Sequence, residues 1–191
     1  MATARNRRRG GQAVKVVVTG PFSAGKTTLI RTISEITVLS TERGITDSTR
    51  SRKAETTVAM DFGRITIDRD LVLYLFGTPG QERFDFMWEI LGEGMIGYLL
   101  LVDAEREDSI AEAAGIQESF RRMARVPYVV ALNRAAPDDH ALVDRVRDTL
   151  GVPPDVAIMS CDATDKESVK NVLLALLYAV LDDVETEAVR A

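Results

Sequence analysis

The stretch Gly20-Pro21-Phe22-Ser23-Ala24-Gly25-Lys26-Thr27 sets two glycines, a lysine and a hydroxyl at a spacing that suits a polyphosphate. Glycines at 20 and 25 let the main chain curl, so that successive N–H groups point inward at anionic oxygens. Lys26 supplies a cation between the β- and γ-phosphates of a nucleoside triphosphate, and the Thr27 hydroxyl suits Mg²⁺. Gly20, Phe22, Ser23, Ala24, Gly25, Lys26, Thr27 and Thr28 are therefore the candidate phosphate contacts. A helix beginning at Lys26 would add its positive end to the same anion.

The flanking segments are the ones such a loop needs. Residues 14–19 form a short β-branched apolar run, which predicts a buried strand, and residues 26–36 carry Leu29, Ile30 and Ile33 at helical spacing. With a strand before it and a helix after it, GxxxxGK[ST] is the P-loop signature. Strand and helix signals then alternate to the end of the chain. Residues 37–56 are polar and aperiodic, as functional loops are. Residues 57–67 and 71–76 read as a hairpin turning at 68–70, and further strands fall at 95–103, 128–132 and 156–159. Helices are expected at 84–91, 109–123 and 140–150, the last closed by Gly151, Pro153 and Pro154. Thr164 and Glu167 read as a capping box opening a final helix from 165 to about 181. Six strands and five helices in this order predict a doubly wound α/β fold, its mostly parallel sheet covered on both faces.

Residues 14–182 are expected to form one domain, preceded by a disordered basic leader, 1–13, and followed by an acidic tail, 183–191, that frays. Arg5, Arg7, Arg8 and Arg9 suit weak electrostatic contact with an anionic membrane surface, at about 1 kcal/mol each. A net charge of −5 argues against nucleic acid as a partner. The single cysteine, Cys161, excludes a disulfide framework and suits a cytoplasmic protein. No apolar run approaches the roughly 20 residues that span a bilayer. The Met-Ala start and the lack of a terminal cysteine argue against lipid anchoring. A monomer is expected.

From 14 to about 181 the chain resembles the Ras-like small GTPases. Glu55-Thr56-Thr57-Val58-Ala59-Met60-Asp61-Phe62 resembles their first switch, which implies Thr57 as a second hydroxyl on Mg²⁺ and the γ-phosphate. Thr78-Pro79-Gly80-Gln81-Glu82-Arg83-Phe84 resembles the second switch, which implies that Gly80 offers its N–H to the γ-phosphate and Gln81 orients the attacking water. Asn133 and Arg134 sit where base recognition belongs, and Ser160-Cys161-Asp162 where the last base loop belongs. Lys26 and Gln81 are then the catalytic pair, and GTP, GDP and Mg²⁺ the implied ligands.

Three departures qualify the resemblance. Gly77 replaces the usual Mg²⁺-associated Asp, which with Pro79 looks like the bacterial polarity GTPases and actinobacterial conservon GTP-binding proteins. That branch implies a roadblock-fold partner, as activator or effector, and a sensor-kinase-like membrane complex beyond it. Ala136 stands where an Asp reads the guanine edge, and Phe22 puts a ring close to the γ-phosphate. The implied function is a slow, partner-stimulated GTP switch. A degenerate nucleotide-binding scaffold and a small-molecule kinase are the alternatives. Arg50 or Arg52 could serve as an internal arginine finger, and Asp61 and Asp103, on or beside buried strands, read as structural. Phe84, Phe86, Met87 and Trp88 cannot all face inward on one helix, whose neighbours lie about 100° apart, so part of this cluster is expected to be exposed to a partner.

Overall fold

The computed structural model describes residues 12–40, 60–81 and 84–190. Its strands are β1 (Gln12–Thr19), β2 (Leu39–Ser40), β3 (Asp61–Asp68), β4 (Leu71–Gly77), β5 (Gly97–Asp103), β6 (Tyr128–Asn133) and β7 (Ile158–Cys161). Its helices are α1 (Lys26–Ile33), α2 (Asp85–Gly92), α3 (Glu107–Met123), α4 (His140–Leu150) and α5 (Lys166–Arg190). The six expected strands and five helices are present, and the two-residue β2 adds a seventh strand at the sheet edge.

The sheet order is β2-β3-β4-β1-β5-β6-β7. Strands β4, β1, β5, β6 and β7 run parallel, while the β3–β4 hairpin and β2–β3 are antiparallel. The chain passes from β1 to β4 on one side and to β5 on the other, so the order reverses at β1. In open α/β sheets, ligands bind at the carboxyl ends of the strands beside such a reversal.

Alternate strand residues feed two cores. Val16, Val18, Leu73, Leu75, Leu99 and Leu101 pack against α1 and α5. Val17, Tyr98, Leu100, Val102, Val130 and Leu132 pack against α2, α3 and α4. Every residue of β5 is buried, as a strand covered on both faces must be.

Several boundaries depart from the sequence reading, each for a local reason. Gln12 and Ala13 belong to β1, paired with Leu71 and Val72, so the domain begins inside the expected leader. Residues 1–11 and 41–59, and with them Thr57, Arg50 and Arg52, lie outside the described residues. Helix α1 stops at Ile33 because the Ser34 hydroxyl turns away, accepting from the Arg64 N–H and donating to the Ile36 carbonyl. The cap of α5 is Asp165, which accepts from the Ser168 N–H at 2.7 Å, whereas Thr164 donates its hydroxyl to Asp162. Helix α5 also runs on to Arg190 rather than fraying at 183. No glycine or proline interrupts it, and Glu, Ala and Arg favour the helix without tertiary support.

That extension touches little, since Val184 is 57% and Val189 88% exposed. Deleting residues 183–191 should lower the thermal unfolding midpoint by less than about 2 °C. A drop beyond about 5 °C would mean that the extension covers part of the core.

Candidate functional site

The loops at the carboxyl ends of β1, β4, β5, β6 and β7 converge on one edge of the sheet. The loop after β1 is held by conformations few residues adopt. Gly20 has φ 142°, Ser23 φ 61° and Gly25 φ 104°. A Cβ on Gly20 would stand 2.0 Å from the Leu101 carbonyl oxygen, so only glycine fits. The loop delivers the chain into α1, whose first turn has neither an acidic residue nor a side-chain cap. By contrast, α4 is capped by Asp139 and α3 opens with Glu107 and Asp108. A helix start with neither favours an anion at its positive end. Lys26 lies beneath the same loop, 8% exposed, with its ammonium donating to the Gly20 and Pro21 carbonyls at 2.7 and 2.6 Å.

Asn133 joins this loop to two others. Its Nδ2 donates to the Ala24 carbonyl at 2.9 Å, its Oδ1 accepts from the Ala163 N–H at 3.0 Å, and its main-chain oxygen accepts from the Ala104 N–H. Arg134 follows in a left-handed conformation, φ 63°, and pairs with Asp103, a buried acid at the end of β5. Ser160 donates its hydroxyl to the Ala136 carbonyl, which fastens the loop after β6 to β7. Asp162 is exposed, and hydrogen bonds from the Thr164 hydroxyl and N–H hold its carboxyl below the usual range. Cys161 is a partial correction to the expected contacts. Its thiol packs in the core, where burial raises its pKa to about 11, so its main chain alone reaches the site, accepting from the Arg134 N–H.

On the other side of the phosphate loop, the Thr78 hydroxyl donates to that of Thr19, and the Thr78 N–H to the Val18 carbonyl. Pro79 offers its carbonyl to the indole N–H of Trp88 at 3.0 Å. Gly80 then lies directly on the phosphate loop. A Cβ there would stand 2.4 Å from the Phe22 nitrogen and 2.7 Å from the Lys26 ammonium. Gln81 follows, half-buried. The Thr27 hydroxyl donates to Asp61 at 2.5 Å across from α1 to the first residue of β3.

The structure brings the loop from Gly20 to Thr27 together with Gly80, Asn133, Arg134 and the Cys161 carbonyl, and Thr28 and Gln81 adjoin them in the chain. Thr57 lies outside the described residues. Three side chains at the site carry parts that sequence reading did not give them. Arg106, at the start of α3, donates to the Phe22 carbonyl at 2.7 Å while paired with Asp108 and Glu112. Asp103 steadies Arg134, and Asp61 meets Thr27. All three contacts cross long stretches of sequence, and no local spacing announces them. The exposed part of the aromatic cluster is Phe86, at 52%, whereas Trp88 is 4% exposed and packs inward on Phe120.

A doubly wound sheet with a P-loop at its reversal point, an uncapped helix behind it and a lysine beneath it defines a P-loop nucleotide-binding protein. The chain belongs to the family described as conserved hypothetical ATP binding protein, which matches residues 18–183. It is also 34% identical, over 125 residues, to an uncharacterized protein of Methanocaldococcus jannaschii, covering 63% of this chain and 70% of that one. Among the described residues no helix is long and apolar enough to cross a membrane.

Lys26→Ala should weaken triphosphate binding about a hundredfold or more, because it removes a buried cation from multiply charged oxygens. Calorimetric titration measures the loss, with circular dichroism confirming the fold. Unchanged affinity would remove the phosphate loop from the site.

Proposed function

We propose that the protein is a GTP-binding switch with slow hydrolysis that a partner stimulates. The observation that carries this reading is the contact of Gly80 with Phe22 and Lys26. A terminal phosphate bound at the Lys26 ammonium must share space with the Gly80 main chain, so its arrival or loss acts first on the segment around 78–86. Such a segment is the kind of element that a γ-phosphate orders and hydrolysis releases.

The donors around Thr27 are hard oxygens, a hydroxyl beside a carboxylate, and they fit Mg²⁺ rather than a soft metal. When bound, the ion offsets charge on the β- and γ-phosphates. Thr27 and Thr57 are the hydroxyls assigned to it. Gln81 is assigned to the attacking water and the Gly80 N–H to the γ-phosphate. Slow turnover is supported by Arg106, whose guanidinium is engaged with Asp108, Glu112 and the Phe22 carbonyl, whereas Phe22 itself is 52% exposed. The exposed Phe86 and Ile90, on the helix that follows Gly80, suit a roadblock-fold partner, alone or within a sensor-kinase-like membrane complex.

On the base side, Asn133 and Arg134 frame a purine, but Ala136 supplies no carboxylate to the guanine edge. This favours a second reading, in which the protein takes ATP as well as GTP and acts as a scaffold with little hydrolysis. The family's description as ATP binding supports it too. Identifying the nucleotide released from freshly purified, denatured protein separates the two.

Competition titration should give a GTP preference over ATP of no more than about a hundredfold, far below the ~10⁴ reached by sites that strand a buried polar group on the wrong ligand. Ala136→Asp should sharpen it. Discrimination at the ~10⁴ level in the unaltered protein would place another acid at the guanine edge.

Single-turnover hydrolysis without a partner should run on the order of 10⁻⁴ s⁻¹ or slower. Phe22→Gly should speed it and Gln81→Ala slow it. Fast turnover by the unaltered protein would point to an internal arginine finger, with Arg50 and Arg52 the first to mutate.

A further inference from the structure

The turn that carries the phosphate loop past Phe22 is held from outside the loop. Pro21, Phe22, Ser23 and Ala24 form a four-residue turn, closed by the Ala24 N–H donating to the Pro21 carbonyl at 3.3 Å. Its third residue, Ser23, has φ 61°, while Phe22 is not among the residues of positive φ. This is the pattern of a type II turn, which ordinarily places glycine third. A type I turn closes four residues with negative φ at both central positions, so it is the form that serine favours. The two forms differ by about 150–170° in the torsions on either side of the central peptide, which amounts to turning that peptide over.

The central peptide joins Phe22 to Ser23, and Arg106 holds it. From the position before α3, 84 residues along the chain, the guanidinium donates to the Phe22 carbonyl at 2.7 Å. Asp108 and Glu112 fix the guanidinium in turn, each at 3.1 Å. A planar trans peptide points its C=O and N–H in opposite directions. With the carbonyl turned to Arg106, the Ser23 N–H faces away from it. Among the described residues no acceptor takes that N–H. In the loop that leads into Lys26 it suits an anionic oxygen. The other turn form would put a carbonyl oxygen where the N–H now points, and that oxygen would repel a phosphate.

We propose that Arg106 is a positioning residue for nucleotide: it keeps the Phe22–Ser23 peptide in the orientation that offers the Ser23 N–H to a phosphate oxygen. The proposal rests on the nucleotide-binding reading and adds a residue outside the phosphate loop on which the loop's shape depends. Arg106 acts through the turn and touches no phosphate itself. Asp108 and Glu112 serve the same end, because they hold the guanidinium against the carbonyl.

The test measures affinity for N-methylanthraniloyl GDP, with the ADP derivative in parallel, by fluorescence titration in Mg²⁺. Arg106→Ala should bind about tenfold more weakly, the scale set by a left-handed residue other than glycine. Adding Ser23→Gly to Arg106→Ala should regain most of the lost affinity, because glycine keeps this turn without a tether and retains the main-chain N–H. An arginine that touched phosphate directly, or that merely stabilised the fold, would not be rescued in this way. If Arg106→Ala does not fold, Arg106→Met keeps the apolar stem, removes the donors and serves the same comparison. Affinity within about twofold of the unaltered protein in the folded Arg106 variant would overturn the proposal. So would a double variant as weak as the single one, and both results leave nucleotide binding standing. Failure of the unaltered protein to bind either derivative would remove the nucleotide reading itself.

Discussion

The carboxamide of Asn133 ties the phosphate loop to the loop after β7, and the geometry of the site follows from it. One end of the amide holds the Ala24 carbonyl and the other the Ala163 N–H, with the residue 4% exposed. A buried amide that loses a partner costs about 1–3 kcal/mol per group, so both bonds persist together. The phosphate loop can come this close only because residue 25 is glycine: a Cβ there would stand 2.5 Å from the Asn133 Nδ2. The contact thus joins segments more than a hundred residues apart in sequence into one binding edge.

The sheet makes this contact reachable. Strands β1, β5 and β6 lie side by side and parallel, so their carboxyl ends deliver residues 20, 104 and 134 to the same edge. The apolar layers on both faces fix strand positions, and the loops inherit that precision. The segment after β4 is held differently. Its start is fastened by Thr78 and by the indole of Trp88 on the Pro79 carbonyl, while Phe86 and Ile90 beyond it face outward. One end is anchored to the core and the next turn is open to solvent.

What was legible in the sequence was local. The spacing from Gly20 to Thr27, the strand before it and the helix after it are short-range patterns, and they located the phosphate loop and the fold class. Helix α4 could be bounded to the residue, because Gly151 takes the left-handed cap its type favours. Misreadings came where a side chain had two local options. Thr164 served an Asx-type turn with Asp162 and left capping to Asp165, and Ser34 bonded across to β3 and shortened α1. Asp61, Asp103 and Arg106 were illegible in their site roles for another reason. Their partners are set by strand register and loop convergence, and a residue's spacing to its sequence neighbours carries no trace of either.

The shared volume at positions 61 and 77 also constrains how such a site can change over generations. Asp61 and Gly77 are direct cross-strand partners, and a Cβ at 77 would stand 3.0 Å from the Asp61 Cβ and 2.8 Å from the Ile30 Cδ1. A side chain at 77 and the carboxylate at 61 therefore constrain one another, and substitutions at the two positions should combine non-additively. In evolutionary terms they form an epistatic pair: what position 77 tolerates depends on what stands at 61.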